Sequence, residues 1–205
     1  KFIDSVALRA NIRNIDNNDI SLYLGPNFHF VIYPINQNNE FNFISVIKKK
    51  LGKKQVLNQN LFTSFEFLNS LTDEIYKKTS LSINYKLENI KSFPIYVSNR
   101  FENFNYKNIY FVGDALFTFP PSLAQGASQS IEASHEAFNE IVNNSESYYK
   151  KRSTKIKEIN WRSKLNSFAF HLSDPISIFL RNFILKILVN NKKFLDKYLG
   201  KIYRD

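Results

Sequence analysis

Cysteine is absent from all 205 residues. A disulfide framework, a thiolate metal site and a cysteine nucleophile are therefore excluded, and redox compartment leaves no mark on the sequence. Methionine is absent too, and the chain opens at Lys1 inside a strand-like stretch, as expected of a piece of a longer protein that has lost an N-terminal part. Only five glycines occur, and none falls in a G-x-G-x-x-G pattern, so the fingerprint of a dinucleotide-binding βαβ unit is missing. No uncharged apolar run reaches the roughly 18 residues that a spanning helix needs. The three histidines, His29, His135 and His171, sit in unrelated segments without metal-ligand spacing, and no metal site is expected.

What the chain does have is apolar mass and positive charge. At 43% hydrophobic and 16% aromatic it can bury a sizeable core without a staple. The net charge of +10 is carried by lysine-rich stretches at 48–54 and 150–157. Such a balance suits nucleic acid or an anionic membrane surface. No nucleic-acid motif accompanies it, and the lysines are interspersed with asparagine, isoleucine and phenylalanine, a bias of composition more than of function. No nucleic-acid partner is expected.

Alternation of apolar residues predicts strands at 2–12, 20–24, 28–35 and 41–48, separated by turns at 14–19, at Gly25-Pro26 and at 36–40. Short connections imply an antiparallel sheet with one face buried and the other able to line a pocket. His29 lies between Phe28 and Phe30 and so points to the face opposite theirs. The spacing of Phe62, Phe65, Leu68, Leu71 and Ile75 predicts an amphipathic helix over 61–77 that covers the sheet. Pro94 marks the strand at 93–97 as an edge or entry strand. Helices are expected to about 142 and over 146–167, 176–189 and 192–199, with a break at 143–145 and Pro175 in a first turn. Arg181 and Lys186 interrupt the apolar run of the third, favouring a packed or interfacial helix over a spanning one.

The chain is organised around residues 108–131, NIYFVGDALFTFPPSLAQGASQSI. The apolar run 109–112 has the length of a buried strand and ends at Gly113 and Asp114. Pro120 and Pro121 stiffen the next segment. A small-residue loop at 124–128 then feeds a helix in which Ile131, Ser134, His135 and Phe138 recur at three and four residues. A helix N-terminus offers unpartnered N–H groups and partial positive charge to an anion or an electron-rich ring edge. Gly126 lets a flat ligand come close, and Asp114 can accept hydrogen bonds from sugar-like hydroxyls.

The string GDALFTFPPSLAQGAS, with IEAS two residues on, resembles the second FAD-binding motif of the class A flavoprotein monooxygenases, the family of salicylate hydroxylase and p-hydroxybenzoate hydroxylase. Phe117, Ser128 and Ala133 replace the usual His, Asn and Asp of that motif. The segments LRANI, YLGPNFHFVIYPI and EFNFISVI echo the substrate-domain strands of the salicylate-hydroxylase branch, and RNFILK with YLGKIYRD echoes its C-terminal tail. The resemblance implies an α+β fold: an antiparallel substrate-domain sheet under a helix at 1–105, the second part of an FAD-binding domain at 106–145 and a helical segment at 146–205, with the N-terminal Rossmann unit missing. It implies FAD contacts from Gly113, Asp114, Pro121, Leu123, Ala124, Gln125, Gly126, Ala127 and Ser128, with Asp114 on the ribityl chain, Pro121 against the isoalloxazine and the 123–128 backbone toward the pyrimidine edge. Tyr33 and Arg9 are the substrate candidates, and no catalytic residue is assigned.

The expected activity, for the complete protein, is hydroxylation of an aromatic or similar ring with NAD(P)H and O2, in the cytoplasm or peripheral to the inner membrane. This chain alone is expected to be inactive without the N-terminal dinucleotide-binding half. An FAD-dependent dehydrogenase or reductase of the same superfold is the alternative, and a basic module binding a membrane or nucleic acid the third reading.

Overall fold

Alternating apolar residues build the first strand, β1 (Phe2–Arg13), whose Val6, Leu8, Ala10 and Ile12 are fully buried while the residues between them turn to the other face. The structure, a computed structural model, describes residues 1–13, 15, 19–35, 39–79, 86–101, 109–143 and 147–203. Most of the turns predicted at 14–19 and 36–40, residues 144 and 145 of the helix break, Asn108 and the last two residues lie outside these.

Two compact units make up the chain. One comprises residues 2–95 and 170–174, the other Lys1, 96–169 and 175–205. In the first, β1 joins β2 (Ser21–Gly25), β3 (Phe28–Pro34), β4 (Glu40–Lys48) and β5 (Glu88–Tyr96) in a five-stranded sheet of order β2-β3-β4-β1-β5. The described pairings β1 to β4, β2 to β3 and β3 to β4 are antiparallel. Because β5 lies at the edge, Pro94 costs no interior ladder bond. Gly25 closes the β2–β3 hairpin where any Cβ would fall 2.2 Å from the Phe28 ring.

Among the described residues three helices follow β4: α1 (Lys53–Leu57), α2 (Gln59–Thr63) and α3 (Phe65–Lys78). The single helix expected over 61–77 is divided at Ser64, whose backbone is extended and whose Oγ accepts the Phe67 N–H at 3.4 Å, capping α3. Phe62, Phe67, Leu71 and Ile75 close over the Phe28, Phe30, Phe41 and Phe43 face of the sheet to form one core. Phe62 stays in it because Ser92 of β5 donates to its carbonyl at 2.7 Å.

In the second unit the helices are α4 (Gly126–Asn143), α5 (Tyr148–Phe170), whose last residue belongs to the first unit, α6 (Pro175–Val189) and α7 (Lys192–Tyr203). Pro175 opens α6, as expected. One expectation is corrected here: residues 109–112 form no strand among the described residues. Tyrosine hydroxyls occupy their backbone groups instead. Tyr148 donates to the Phe111 carbonyl at 2.7 Å, and Tyr149 donates to Ile109 O at 3.0 Å while accepting from Phe111 N at 3.3 Å.

The helices α4 and α5 are joined by charge. Arg152, only 2% exposed, places Nη2 2.5 Å from Glu132 Oε1 and 2.6 Å from Glu136 Oε1, and donates from Nη1 to Gln129 Oε1 at 3.2 Å. Burial pushes the Glu132 carboxyl up, but the hydrogen bond and charge of Arg152, with Lys155 and Gln129, hold it below its ordinary range. Glu140 caps α5 by accepting the N–H groups of Ser147, at 2.6 Å, and Tyr148, a carboxylate where the helix dipole favours one.

Candidate functional site

The glycine that begins the conspicuous motif is held by two independent constraints. Gly113 has φ +57°, and a Cβ there would lie 2.6 Å from Ser130 Oγ of α4. Only glycine lets the turn come this close to the helix. A 3₁₀ turn at Gly113–Ala115 then leaves Asp114 exposed, with Leu116 and Phe117 turned into the core of the unit. Phe117, the departure from the family's histidine, packs its ring 5.0 Å from that of Phe119, so this position fills space rather than handling protons.

A second 3₁₀ turn, Pro121–Leu123, is tied to α5 by Ser122 Oγ donating to Ser163 O at 2.6 Å. Ala124 then adopts φ 52° and ψ 32°, a left-handed conformation unusual for a residue with a Cβ, and reverses the chain into α4. The first helical hydrogen bond runs from Gln129 N to Gln125 O at 2.9 Å. The N–H groups of Gly126, Ala127 and Ser128 precede it and have no carbonyl partner within the helix. All three residues are exposed, as are Pro121 and Ala124, and a Cβ on Gly126 would meet nothing within 4 Å. Leu123 is half-buried.

Gln125 differs from its neighbours: its side chain is buried, accepting from Gln129 Nε2 at 3.4 Å. Arg152, Gln129 and Gln125 thus form a chain of hydrogen bonds that ends at the loop entering α4. The sequence held no sign of this network, because Arg152 stands in a lysine-rich stretch that reads as solvated.

In the sheet unit, β3 and β4 put Tyr33 opposite Asn42, and β1 and β4 put Asn11 opposite Asn42 and Arg9 opposite Ile44. These residues share the face turned away from the helices. Arg9 Nε donates to Asn42 Oδ1 at 3.3 Å, and Asn42 Nδ2 donates to Tyr33 Oη at 2.5 Å. Both substrate candidates are therefore brought together through Asn42, which sequence reasoning missed. The signal was there in Phe41-Asn42-Phe43, where alternation puts a polar residue on the face opposite two core aromatics.

The same face holds His29, which is buried rather than lining an open wall. His171, far from it in sequence, packs against it with Nε2 3.1 Å from His29 Nδ1. Burial, and then the charge on His171, lower the His29 pKa to about 3. Among the described residues no group of three or more potential ligands could hold a metal ion, and no helix is long and apolar enough to cross a membrane.

No protein-family model and no curated protein sequence matches the chain. Solved structures do. The p-nitrophenol 4-monooxygenase PnpA of Pseudomonas putida superposes with a TM-score of 0.69 at 11% identity, over 98% of this chain and 54% of that one. HpxO of Klebsiella pneumoniae, solved with FAD and uric acid, gives 0.67 at 11% identity over 98% and 53%. A geranylgeranyl bacteriochlorophyll reductase-like protein of Thermoplasma acidophilum gives 0.60 at 19% identity over 97% and 54%. The chain spans about half the length of each. With its antiparallel sheet, its helices and the left-handed turn at Ala124 that leads into α4, this chain has the fold of about half of a class A FAD-dependent hydroxylase.

Proposed function

We propose that this chain is the C-terminal part of an FAD-dependent monooxygenase that hydroxylates an aromatic or similar ring with NAD(P)H and O2. The observation that carries the reading is the exposed start of α4 at Gly126, Ala127 and Ser128, with Pro121, Ala124 and Asp114 also exposed. The residues fit the group. Gly126 leaves room for a flat ring, three unpartnered N–H groups favour negative charge on its edge, and Asp114 is free to accept from a polyol chain. Bound FAD would supply the redox and oxygen chemistry that no side chain here offers. The chain's own work is to position: Gly113 and Ala124 fix the loop that would meet the cofactor, and the sheet face carrying Tyr33 and Arg9 is the candidate surface for the substrate.

Two features support an N-terminal dinucleotide-binding half as the missing partner. Ile109 is half exposed at the start of the motif, and α4 exposes Ile131, Phe138, Ile141 and Val142 along one side. A different surface supports peripheral contact with an anionic membrane. On α6, Ile176, Phe179, Leu180, Phe183, Ile184 and Ile187 follow the three-and-four spacing of one helix face, and all six are exposed. Lys186, Lys192 and Lys193 are exposed close by in the chain.

The test is flavin retention by the complete protein, with Asp114→Ala as comparison. Bound FAD in the wild type and its loss in the variant support the reading; a flavin-free protein indifferent to Asp114 sinks it. The alternative, a flavin-dependent reductase, is favoured by the likeness to the Thermoplasma reductase-like protein. Substrate turnover that consumes oxygen excludes it.

A further inference from the structure

The loop that enters α4 is gripped from α5 on both sides of its strained residue. Ala124 is left-handed, a conformation unfavourable for a residue with a Cβ unless its neighbours impose it. On one side Ser122 Oγ donates to Ser163 O at 2.6 Å, and Ala124 N donates to Pro121 O at 3.0 Å. On the other side the chain that begins at Arg152 runs on past Gln125. Arg152 Nη1 donates to Gln129 Oε1 at 3.2 Å, Gln129 Nε2 to Gln125 Oε1 at 3.4 Å, and Gln125 Nε2 to the Leu123 carbonyl at 3.5 Å. Every direction in it is fixed, because a guanidinium at one end can only donate and a peptide carbonyl at the other can only accept. Gln129 Nε2 also donates to Glu132 Oε2 at 2.9 Å, which agrees with that orientation. The last two links are long and orient more than they stabilise. Arg152 and Ser163 lie on one face of α5, about three turns apart. A cavity of about 10 Å³ has Gly113, Gly126, Gln129 and Arg152 in its lining, so the guanidinium underlies both halves of the motif. Its charge is balanced by Glu132 and Glu136, and what it passes to the loop is therefore geometry and not field.

We propose that Arg152, acting through Gln129 and Gln125, holds Ala124 left-handed and so keeps the loop in the form that receives the flavin before the flavin arrives. This rests on the reading of that loop as the cofactor contact. The three side chains do not need to touch the cofactor and are positioning residues. A glycine at 124 would take the conformation unaided; the alanine makes the relay necessary. Binding to a preset loop avoids the entropy of ordering it, and apparent affinity scales with the fraction of time that the loop is competent.

The test removes the relay and the need for it separately, in the complete protein stripped of flavin and titrated again with FAD. Gln125→Leu keeps the Arg152 ion pairs and the bond from Gln129 to Glu132 but takes the relay's donor from Leu123 O. FAD should bind about tenfold more weakly, in line with the small share of time that an unsupported alanine spends left-handed. Gln129→Leu, which cuts the chain one link earlier, should do the same. Ala124→Gly should alter wild-type affinity by less than about threefold and restore most of the loss in either variant. A role in general stability predicts no such rescue. Hydrogen exchange over residues 119–130, followed without flavin, should quicken in Gln125→Leu and Gln129→Leu. Unchanged affinity, unchanged exchange, or a loss that Ala124→Gly does not recover overturns the inference. The flavin reading is judged apart from it. If the wild type takes up no FAD, that reading fails and exchange alone decides whether the relay holds the loop; FAD bound equally by every variant rejects the relay alone.

Discussion

His29 Nδ1 lies 3.1 Å from His171 Nε2, although 142 residues separate them. His171 Nε2 also lies 3.3 Å from Val46 O, so its hydrogen points toward these two acceptors and His29 must be neutral at Nδ1. The segment that bears His171 is held to the sheet by this contact and by the edge of the Phe170 ring, 5.2 Å from the His29 ring.

Stability should consequently fall in mild acid. The His29 pKa is about 3 in the folded chain against an ordinary 6.5. The unfolded chain therefore takes up the proton first, and the contribution, complete above pH 6.5, is lost as pH falls toward 3. Chemical denaturation between pH 7 and 5, above most carboxylate titration, should show a slope approaching about 1.4 kcal/mol per pH unit. His29→Phe should flatten that slope. An unchanged slope in the variant would assign the acid sensitivity to other groups.

The sheet was legible in the sequence because β1 to β4 alternate over a hydrophobic face and short turns leave one pairing scheme. The motif at α4 was legible because glycine, proline and small residues punctuate it. The split of the long helix at Ser64 was not, since one serine cap competes with an otherwise unbroken apolar stripe. Nor was the fate of 109–112, where apolar length suggests a ladder but two tyrosines from α5 supply the hydrogen bonds. Long-range polar pairs such as His29 with His171 leave no periodic trace at all.

Gly113→Ala should destabilise the protein by about 2–4 kcal/mol, combining left-handed strain with a forced contact. The double variant Gly113→Ala/Ser130→Ala should recover part of the loss, because the 2.6 Å contact is to the serine hydroxyl while its Cβ is 3.2 Å away. Equal losses in the single and double variants would attribute the whole effect to backbone conformation.

Arg152→Leu should cost about 3–5 kcal/mol, since it strands Glu132 and Glu136 without their partner. Adding Glu132→Leu and Glu136→Leu should return most of it. The acid limb contributed by Glu132 should also change. Its lowered pKa gives stability that is present above the ordinary carboxylate range and lost as pH falls through the folded value. Without Arg152 that loss should shrink, Lys155 and Gln129 remaining as partners, which denaturation profiles of the wild type and Arg152→Leu can compare.

The outward face of α6 makes the last prediction. Arg181 points inward, donating to Ala169 O at 3.3 Å, while Phe179 and Phe183 are 70% and 58% exposed. Water-facing positions are thus apolar and a buried one is charged, the reverse of an ordinary surface helix. On the membrane reading proposed above, a bilayer interface would take the aromatic rings while neighbouring lysines meet anionic headgroups. The protein should co-sediment with vesicles rich in phosphatidylserine and much less with phosphatidylcholine alone. Phe179→Asp/Phe183→Asp should reduce binding by about a hundredfold, from the lost burial of two rings. Lys192→Glu/Lys193→Glu should reduce it by about tenfold and only on anionic vesicles. Binding indifferent to both substitutions would remove the membrane from the account. Loss of self-association in sedimentation velocity, without any vesicle effect, would reassign the stripe to a second copy of the chain.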